Sequence, residues 1–385
     1  MKRAGGFSLV ELMVAITLAL VVTAGAIAVF VGSRTAYQST AGVAAVGDGG
    51  RTAVNLLQQD VRNAGYIACA DTVYFWQTMT AADSRVQIDE LNNAAGTLGY
   101  DFRYGIAGYE AMGTTPLDTI VIPAAPVVDE TDADWTPALD ATFTNGSLSP
   151  APTQVQGSDV LVVRESLAKT PAYLIGTVSP GATSFTVNGQ GGLAAGQIAA
   201  VSDCANAVVF QVGNAPAGGP GAVNVTVSTN GADVPGNIAG ANIIRPFAGG
   251  SLVMPLTTNV YYIGKGSDGD YALKRLALNA PGASSPGVFT DEEVVPDIEN
   301  MQVLYGVRSA TSVSPTQYVT ADQVADFRQV VSVEIALLAA SPPGSGTGPP
   351  VTQQYTLLGT QVHLANDNRQ RRVFEFTVAV RNQME

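Results

Sequence analysis

The sequence predicts an α+β protein, with one long N-terminal helix laid on a β-rich head that carries elaborated loops. Three observations lead there. No proline occurs before Pro116, so nothing early in the chain forbids a continuous helix. Residues 12–32 form an uninterrupted run without a charge. Beyond Tyr66 the chain changes to short Val-, Thr- and aromatic-rich segments separated by many of its 41 glycines and 21 prolines, the pattern of strands and turns.

The helix comes first. Residues 7–64 would extend ~87 Å if unbroken. The uncharged stretch Leu12–Gly32 is 21 residues, long enough to cross a bilayer at ~20. Lys2 and Arg3 precede it, which keeps the N-terminus cytoplasmic and sends the remainder out. Gly47-Asp48-Gly49-Gly50 is the expected weak point, because each helical glycine costs roughly 1 kcal/mol against alanine. A kink or frayed turn is expected there. After it Val54, Leu57, Val61 and Ala64 share one face, while Gln58, Asp60 and Arg62 point elsewhere. Gly65 should end the helix. Residues 7–32 thus read as a membrane or filament-core helix, 33–65 as its amphipathic continuation and 66–385 as the head, after a leader at 1–6.

Strand candidates follow at 72–76, 119–122, 159–164, 172–178, 184–187, 197–201, 207–212, 259–263, 271–278, 301–307, 330–338 and 373–380. Asp268-Gly269 reads as a hairpin turn. Thr320 with Gln323 reads as a capping box for a short helix over 321–327. Residues 124–157, 213–240 and 340–352 read as surface loops, the Pro/Gly/Ser-rich 341–350 as flexible.

Composition bounds the function. The chain has 19 basic and 32 acidic residues, net −13, which argues against binding a phosphate backbone directly. It suits an extracytoplasmic surface. An even cysteine count in an exported domain reads as one disulfide, Cys69–Cys204, with two buried thiols as the alternative. Such a bridge would be worth at most ~4–5 kcal/mol on the chain-entropy view. His363 is the only histidine and there is no CxxC, so neither a histidine triad nor a metal site is expected, and no cofactor. No G-x-S-x-G elbow or phosphate-cradling P-loop is present, so no enzyme is expected.

The remaining motifs each have two readings. Asp129–Asp134 and Asp268-Gly269-Asp270 could take calcium but lack EF-hand spacing, and are more simply solvated loops. Asp291-Glu292-Glu293 reads as a solvated charge run. Gly189–Ala194 resembles a dinucleotide fingerprint only superficially and reads as a turn. Tyr100–Tyr109 is either a ligand face or a strand packing one side. Arg369, Arg371 and Arg372 could meet nucleic acid or an acidic neighbour, or could simply sit solvated at a strand entrance.

The N-terminus is more specific. Gly6-Phe7-Ser8-Leu9-Val10-Glu11 opens the apolar run, and Glu11 is the one charge before Gly32. A carboxylate in a membrane-spanning stretch costs roughly 2.5–3.5 kcal/mol on the most lenient scale. An ordinary secretory signal cut near Ala24-Gly25-Ala26, or a plain uncleaved anchor, leaves Glu11 unexplained. The segment resembles the signal of type IV prepilins and secretion pseudopilins. That resemblance implies cleavage after Gly6 by a prepilin peptidase and N-methylation of Phe7. The new amine on Phe7 would lie one helical turn from Glu11. Amine and carboxylate could then neutralise each other, within or between subunits, where a lone buried charge is expensive. Ala24, Ala28 and Gly32 make a small-residue row that would let helices approach closely, unless the spacing is incidental.

The resemblance continues along the chain. The block Gly50-Arg51, Leu56–Gln59, Asp60-Val61-Arg62-Asn63-Ala64-Gly65-Tyr66 and Cys69 is similar to the helix end of PilW-family minor pilins. So are Gly157–Leu161, Ser202-Asp203-Cys204 with Val209–Val212, Val260–Gly264, Glu299–Gly306, Val331–Leu338 and Phe374 with Val380-Arg381-Asn382. The chain lacks the helix proline common in major pilins and is longer than they usually are, which favours a minor pilin. The resemblance implies a type IV pilin-like fold and a place in the complex that initiates filaments and sits at their tip. Such filaments serve twitching motility, adhesion and DNA uptake. Its partners would be other minor and major pilins, the prepilin peptidase and the inner-membrane assembly platform. It would reside in the inner membrane with a periplasmic head before assembly, and in the extracellular pilus afterwards. A J-type pseudopilin of type II secretion, or a tip adhesin, are the alternative readings.

Overall fold

The computed structural model describes residues 8–383 except 68–85, 89, 93, 95–96, 129–130, 132, 141–150, 168–170, 204, 215–220, 230–233, 279–288, 310–311, 313 and 347. It is an α+β fold in which a single helix, Leu9–Asn63, seats its C-terminal end on a β-rich head.

The helix runs for 55 residues without a break. The frayed turn expected at Gly47–Gly50 is absent, and the head packs against the helix there. A Cβ on Gly50 would lie 2.1 Å from Cε2 of Phe374, so the glycine lets the ring lie against the helix backbone. Gly42 likewise admits Ser345, whose Oγ would be 3.0 Å from a Cβ. Here glycine's propensity cost is exchanged for close approach. The buried positions Gly42, Val46, Gly50, Ala53, Leu57, Asp60 and Val61 recur every three or four residues and form one stripe. Full burial of Val46, Leu57 and Val61 contributes roughly 1.5–3 kcal/mol each. Asp60, expected to point away from the apolar face, belongs to this buried stripe, whereas Val54 lies at its margin. Gly65 ends the helix as expected, at φ +76°, with its N–H donating to the Arg164 carbonyl at 2.8 Å.

Residues 9–41 touch almost nothing, being exposed along nearly their whole length. An 18-residue window of the helix with mean hydropathy 2.6 has none of its residues buried. About 50 Å of helix therefore projects from the head.

The head is organised by the strand Leu252–Lys265, whose 14 residues pair with different neighbours along their length. Its first residues pair antiparallel with Ile198–Asp203 and Ala172–Tyr173. Its later residues pair with Val160–Ser166 on one side and Tyr271–Leu278 on the other. A four-stranded antiparallel sheet, in the order Pro315–Val319, Ile298–Arg308, Val330–Ala340, Arg371–Ala379, supports the helix. A smaller sheet joins Gln354–Leu357, Thr360–Leu364 and Thr119–Ile122. Three hydrophobic cores result. One lies under the helix, one lies behind the main sheet, and one fills a lobe drawn from residues 172–253.

Most expected strands are present, some longer than anticipated. The Asp268-Gly269 turn joins Leu252–Lys265 to Tyr271–Leu278, with Gly269 at φ +91°. The candidate at 172–178 forms only Ala172–Tyr173, and the one at 72–76 lies outside the described residues. The loop expected at 213–240 contains the strand Val223–Thr226, paired with Ser184–Val187. Asp291-Glu292-Glu293 is not a solvated run. It lies in the strand Phe289–Pro296, where Lys274 Nζ meets Asp291 and Arg275 meets Glu292, each at 2.6 Å. The helix expected over 321–327 is replaced by two 3₁₀ turns, Ala321–Gln323 and Phe327–Gln329. Thr320 spends its hydroxyl on Asp322 instead of the turn's backbone, and Asp326 caps the second turn through the Arg328 N–H.

Candidate functional site

At the start of the helix Ser8 and Glu11 close a reciprocal cap. The Ser8 N–H donates to Glu11 Oε2 at 3.0 Å, and the Glu11 N–H donates to Ser8 Oγ at 3.2 Å. The Ser-x-x-Glu spacing that signals this box was present in the sequence, but the sequence reading spent Glu11 on the Phe7 amine alone. Gly6 and Phe7 lie outside the described residues, so cleavage, methylation and the Glu11–amine pair stay expectations. The hydroxyls in the projecting segment return to their own helix: Thr17 to the Val14 carbonyl, Thr23 to Ala19 and Thr35 to Val31, at 2.7–2.9 Å. Every side-chain hydroxyl so placed is compatible with an apolar surrounding. Gly32, the last member of the small-residue row, meets nothing within 4 Å.

At the other end a buried polar cluster fixes the helix direction. Asp60 accepts from Tyr261 Oη and, at 3.0 Å, from Asn259 Nδ2. Asn259 Nδ2 also lies 3.4 Å from Glu165. Burial raises the Asp60 carboxyl above its ordinary range despite these donors. Burial, with the neighbouring Asp60 carboxylate, pushes Glu165 to about 8. This cluster had no signature in the sequence, because its members come from three separate segments.

The other candidates are absorbed by the fold. Arg369 and Arg371 are neither a basic patch nor solvated. Arg369 bonds Asp270 and Asp297 at 2.6 Å, and Arg371 bonds Glu299 and Asp367 at 2.6 Å. Only Arg372 is exposed, over the Phe374 ring at 5.1 Å. Asp270 of the second possible calcium loop is thereby engaged by an arginine. Asp134 of the first accepts from Gln156. Among the described residues no group of three or more His, Cys, Asp or Glu is arranged to hold a metal. The 100–109 segment leads into the strand Ile106–Ala111, with Phe102 buried and Tyr104 beside Arg103 and Arg328, which fits the packing reading. Gly189–Ala194 is a turn. Glu110 and Asp159 share the Thr114 hydroxyl, and burial raises both carboxyls. Asp159 accepts from the Ala111 and Val303 N–H groups, which ties two sheets together. Cys69 and Cys204 lie outside the described residues.

A polar cleft of about 540 Å³ remains where the helix ends, between Asn55, Gln59, Arg62 and Tyr66 on one side and Arg381 and Asn382 on the other.

Two family descriptions match this sequence. Residues 1–27 match the prokaryotic N-terminal methylation motif, and residues 260–382 match PilW, type IV pilus-assembly protein W. The second covers about a third of the chain, including the four-stranded sheet that seats the helix. No curated protein matches in sequence. Among solved structures, a type IV-like pilin from Thermus thermophilus is similar over 34% of this chain and 70% of its own, at 21% identity and a TM-score of 0.22. The endosialidase of phage phi92 is similar over 57% of this chain and 46% of its own, at 14% identity and a TM-score of 0.16. A prepilin-type motif thus opens an uncovered apolar helix, and the part of the head similar to PilW contains the sheet on which that helix sits.

Proposed function

We propose that this chain is a minor pilin that takes part in initiating type IV filaments as a member of the complex at their tip. One observation carries the reading: about 50 Å of apolar helix is uncovered, yet its direction is fixed by a buried seat on the head. Such a surface is stable only in lipid or among other helices. Before assembly it lies in the inner membrane with the head in the periplasm. After a peptidase cuts behind Gly6 and Phe7 is methylated, it leaves the bilayer and packs among neighbouring pilins on the assembly platform. Glu11 exchanges its Ser8 cap for a pilin amine as the subunit enters. The role is assembly rather than catalysis.

The Cys69–Cys204 bridge belongs to the same proposal. Ser202 Oγ donates to the Ile67 carbonyl at 3.3 Å, which brings together the segments that lead to the two cysteines.

A deletion strain tests the function. Lost surface filaments with an unchanged secretome are expected. Normal filaments with stalled export would move the protein to the J-type pseudopilins, and normal filaments with lost surface attachment would make it a tip adhesin. Glu11→Ala should lower filament incorporation while leaving membrane insertion intact. Incorporation equal to the parent would remove the charge-pair role.

A further inference from the structure

The cleft at the end of the helix has an unusual charge for this molecule. The chain is net −13, and most arginines of the head are engaged: Arg103, Arg275, Arg328, Arg369 and Arg371 in ion pairs, Arg164 on the carbonyls of Tyr104 and Leu98. Arg62 and Arg381 have no ion-pair partner among the described residues, and both line this cleft. No carboxylate lines it among the described residues. Asn55, Gln59 and half-exposed Tyr66 complete the wall. The helix's own C-terminal carbonyls would oppose an anion here. Asn382 Nδ2 already covers two of them, those of Asn63 and Ala64, at 3.4 and 3.0 Å. Two whole positive charges therefore outweigh the residual dipole.

The position of the cleft identifies its occupant. Asn55, Gln59 and Arg62 lie on the helix stripe that, carried back by threes and fours, passes through Asp48, Tyr37, Arg34 and Phe30. Tyr37 is 75% exposed and Phe30 68% exposed. The apolar end of this stripe must be covered by neighbouring helices once the subunit leaves lipid. The polar end lies on the same line, facing the same neighbours. We infer that the Arg62–Arg381 cleft seats a carboxylate side chain of a neighbouring pilin subunit, a second contact that sets azimuth where the apolar stripe sets only proximity. The inference rests on the pilin-assembly reading above.

The test uses the full chain in its own cells. Three strains are compared by surface filament count: a deletion, an Arg62→Glu/Arg381→Glu double variant, and an Arg62→Lys/Arg381→Lys double variant. Immunoblotting and protease resistance of the head confirm equal, folded protein, and Arg62→Gln/Arg381→Gln substitutes if the reversal is degraded. The reversal should cut filaments by about tenfold or more, because like charges are forced together, while the lysine variant should retain them. A photo-crosslinker in place of Gln59 should yield an adduct whose mass spectrum identifies a pilin. Normal filaments in the reversal strain would overturn the inference, as would an adduct with no pilin in it. Normal filaments combined with lost retention on hexuronate-coated beads would overturn it in favour of an acidic glycan. Normal filaments in the deletion strain would overturn the assembly reading itself, and the inference with it.

Discussion

Replacing Gly50 by alanine separates two accounts of why glycines cluster in the middle of a long helix. On propensity alone Gly→Ala in a helix interior stabilises by about 1 kcal/mol. At Gly50 the added Cβ would lie 2.1, 2.4 and 2.5 Å from Cε2, Cζ and Cδ2 of Phe374. Ordinary carbon contacts begin near ~3.5 Å, so the ring must retreat by more than about 1 Å. Arg372 over the same ring and the pairing of Phe374 with Leu337 restrict that retreat. Overpacking of this kind costs typically about 1–3 kcal/mol, so after the propensity gain Gly50→Ala should be net destabilising by up to about 2 kcal/mol. Gly47 is the internal control. Its only neighbour is the tip of Arg51 at 4.0 Å, so Gly47→Ala should gain the full propensity term, about 1 kcal/mol. Urea denaturation of the detergent-solubilised protein, followed by helix circular dichroism, reads both. Opposite shifts of midpoint at equal slope are expected. Equal stabilisation by both substitutions would refute the seating of the helix on Phe374. Gly50→Ala combined with Phe374→Leu should recover most of the loss.

Arg369→Ala should destabilise by about 3–5 kcal/mol in the same assay, because it strands Asp270 and Asp297 and weakens the setting of Glu299. A loss below about 1 kcal/mol would mean the network is hydrated. Glu165 has its pKa raised to about 8 in the fold, against an ordinary 4.5. Its contribution to stability is therefore fully present below about pH 4.5 and is lost as pH rises through about 8. Glu165→Gln should flatten that decline and raise stability at pH 8, by at most about 5 kcal/mol. An unchanged pH profile would show that the carboxylate is solvated. Reduction of the proposed Cys69–Cys204 bridge should lower the thermal midpoint, and a protein already alkylated by iodoacetamide without reductant would show two free thiols instead.

Much of the architecture was legible because hydrophobic period and turn residues are local signals. The strands Thr119–Ile122, Ser184–Val187 and Tyr271–Leu278 start and stop at their expected residues. The errors share a cause. Gly50, Asp60, Asp291 and Arg369 all looked polar or flexible in sequence, and each is explained by a partner far along the chain: Phe374, Tyr261, Lys274 and Asp297. A charge reads as solvated until its counter-charge is known, and that counter-charge has no fixed spacing. The Ser8–Glu11 box was the opposite case, a local signal overlooked because the same glutamate already had a role. The Arg62–Arg381 cleft joins the end of the helix to the far end of the head sequence and could not be read at all.

The long strand Leu252–Lys265 also has a mechanical meaning. Its start, Leu252 and Val253, is stitched into the lobe built from residues 172–253. Roughly 20–30 Å further on, Asn259 and Tyr261 grip Asp60 of the helix. A pull on that lobe therefore travels along one covalent strand into the stem, without crossing a flexible joint. The hydrogen bonds flanking the strand are loaded together in shear instead of being peeled one at a time. Tension on the lobe would reach the helix seat in part as a tug on Asp60, beside the load carried by the sheet packed along the buried stripe.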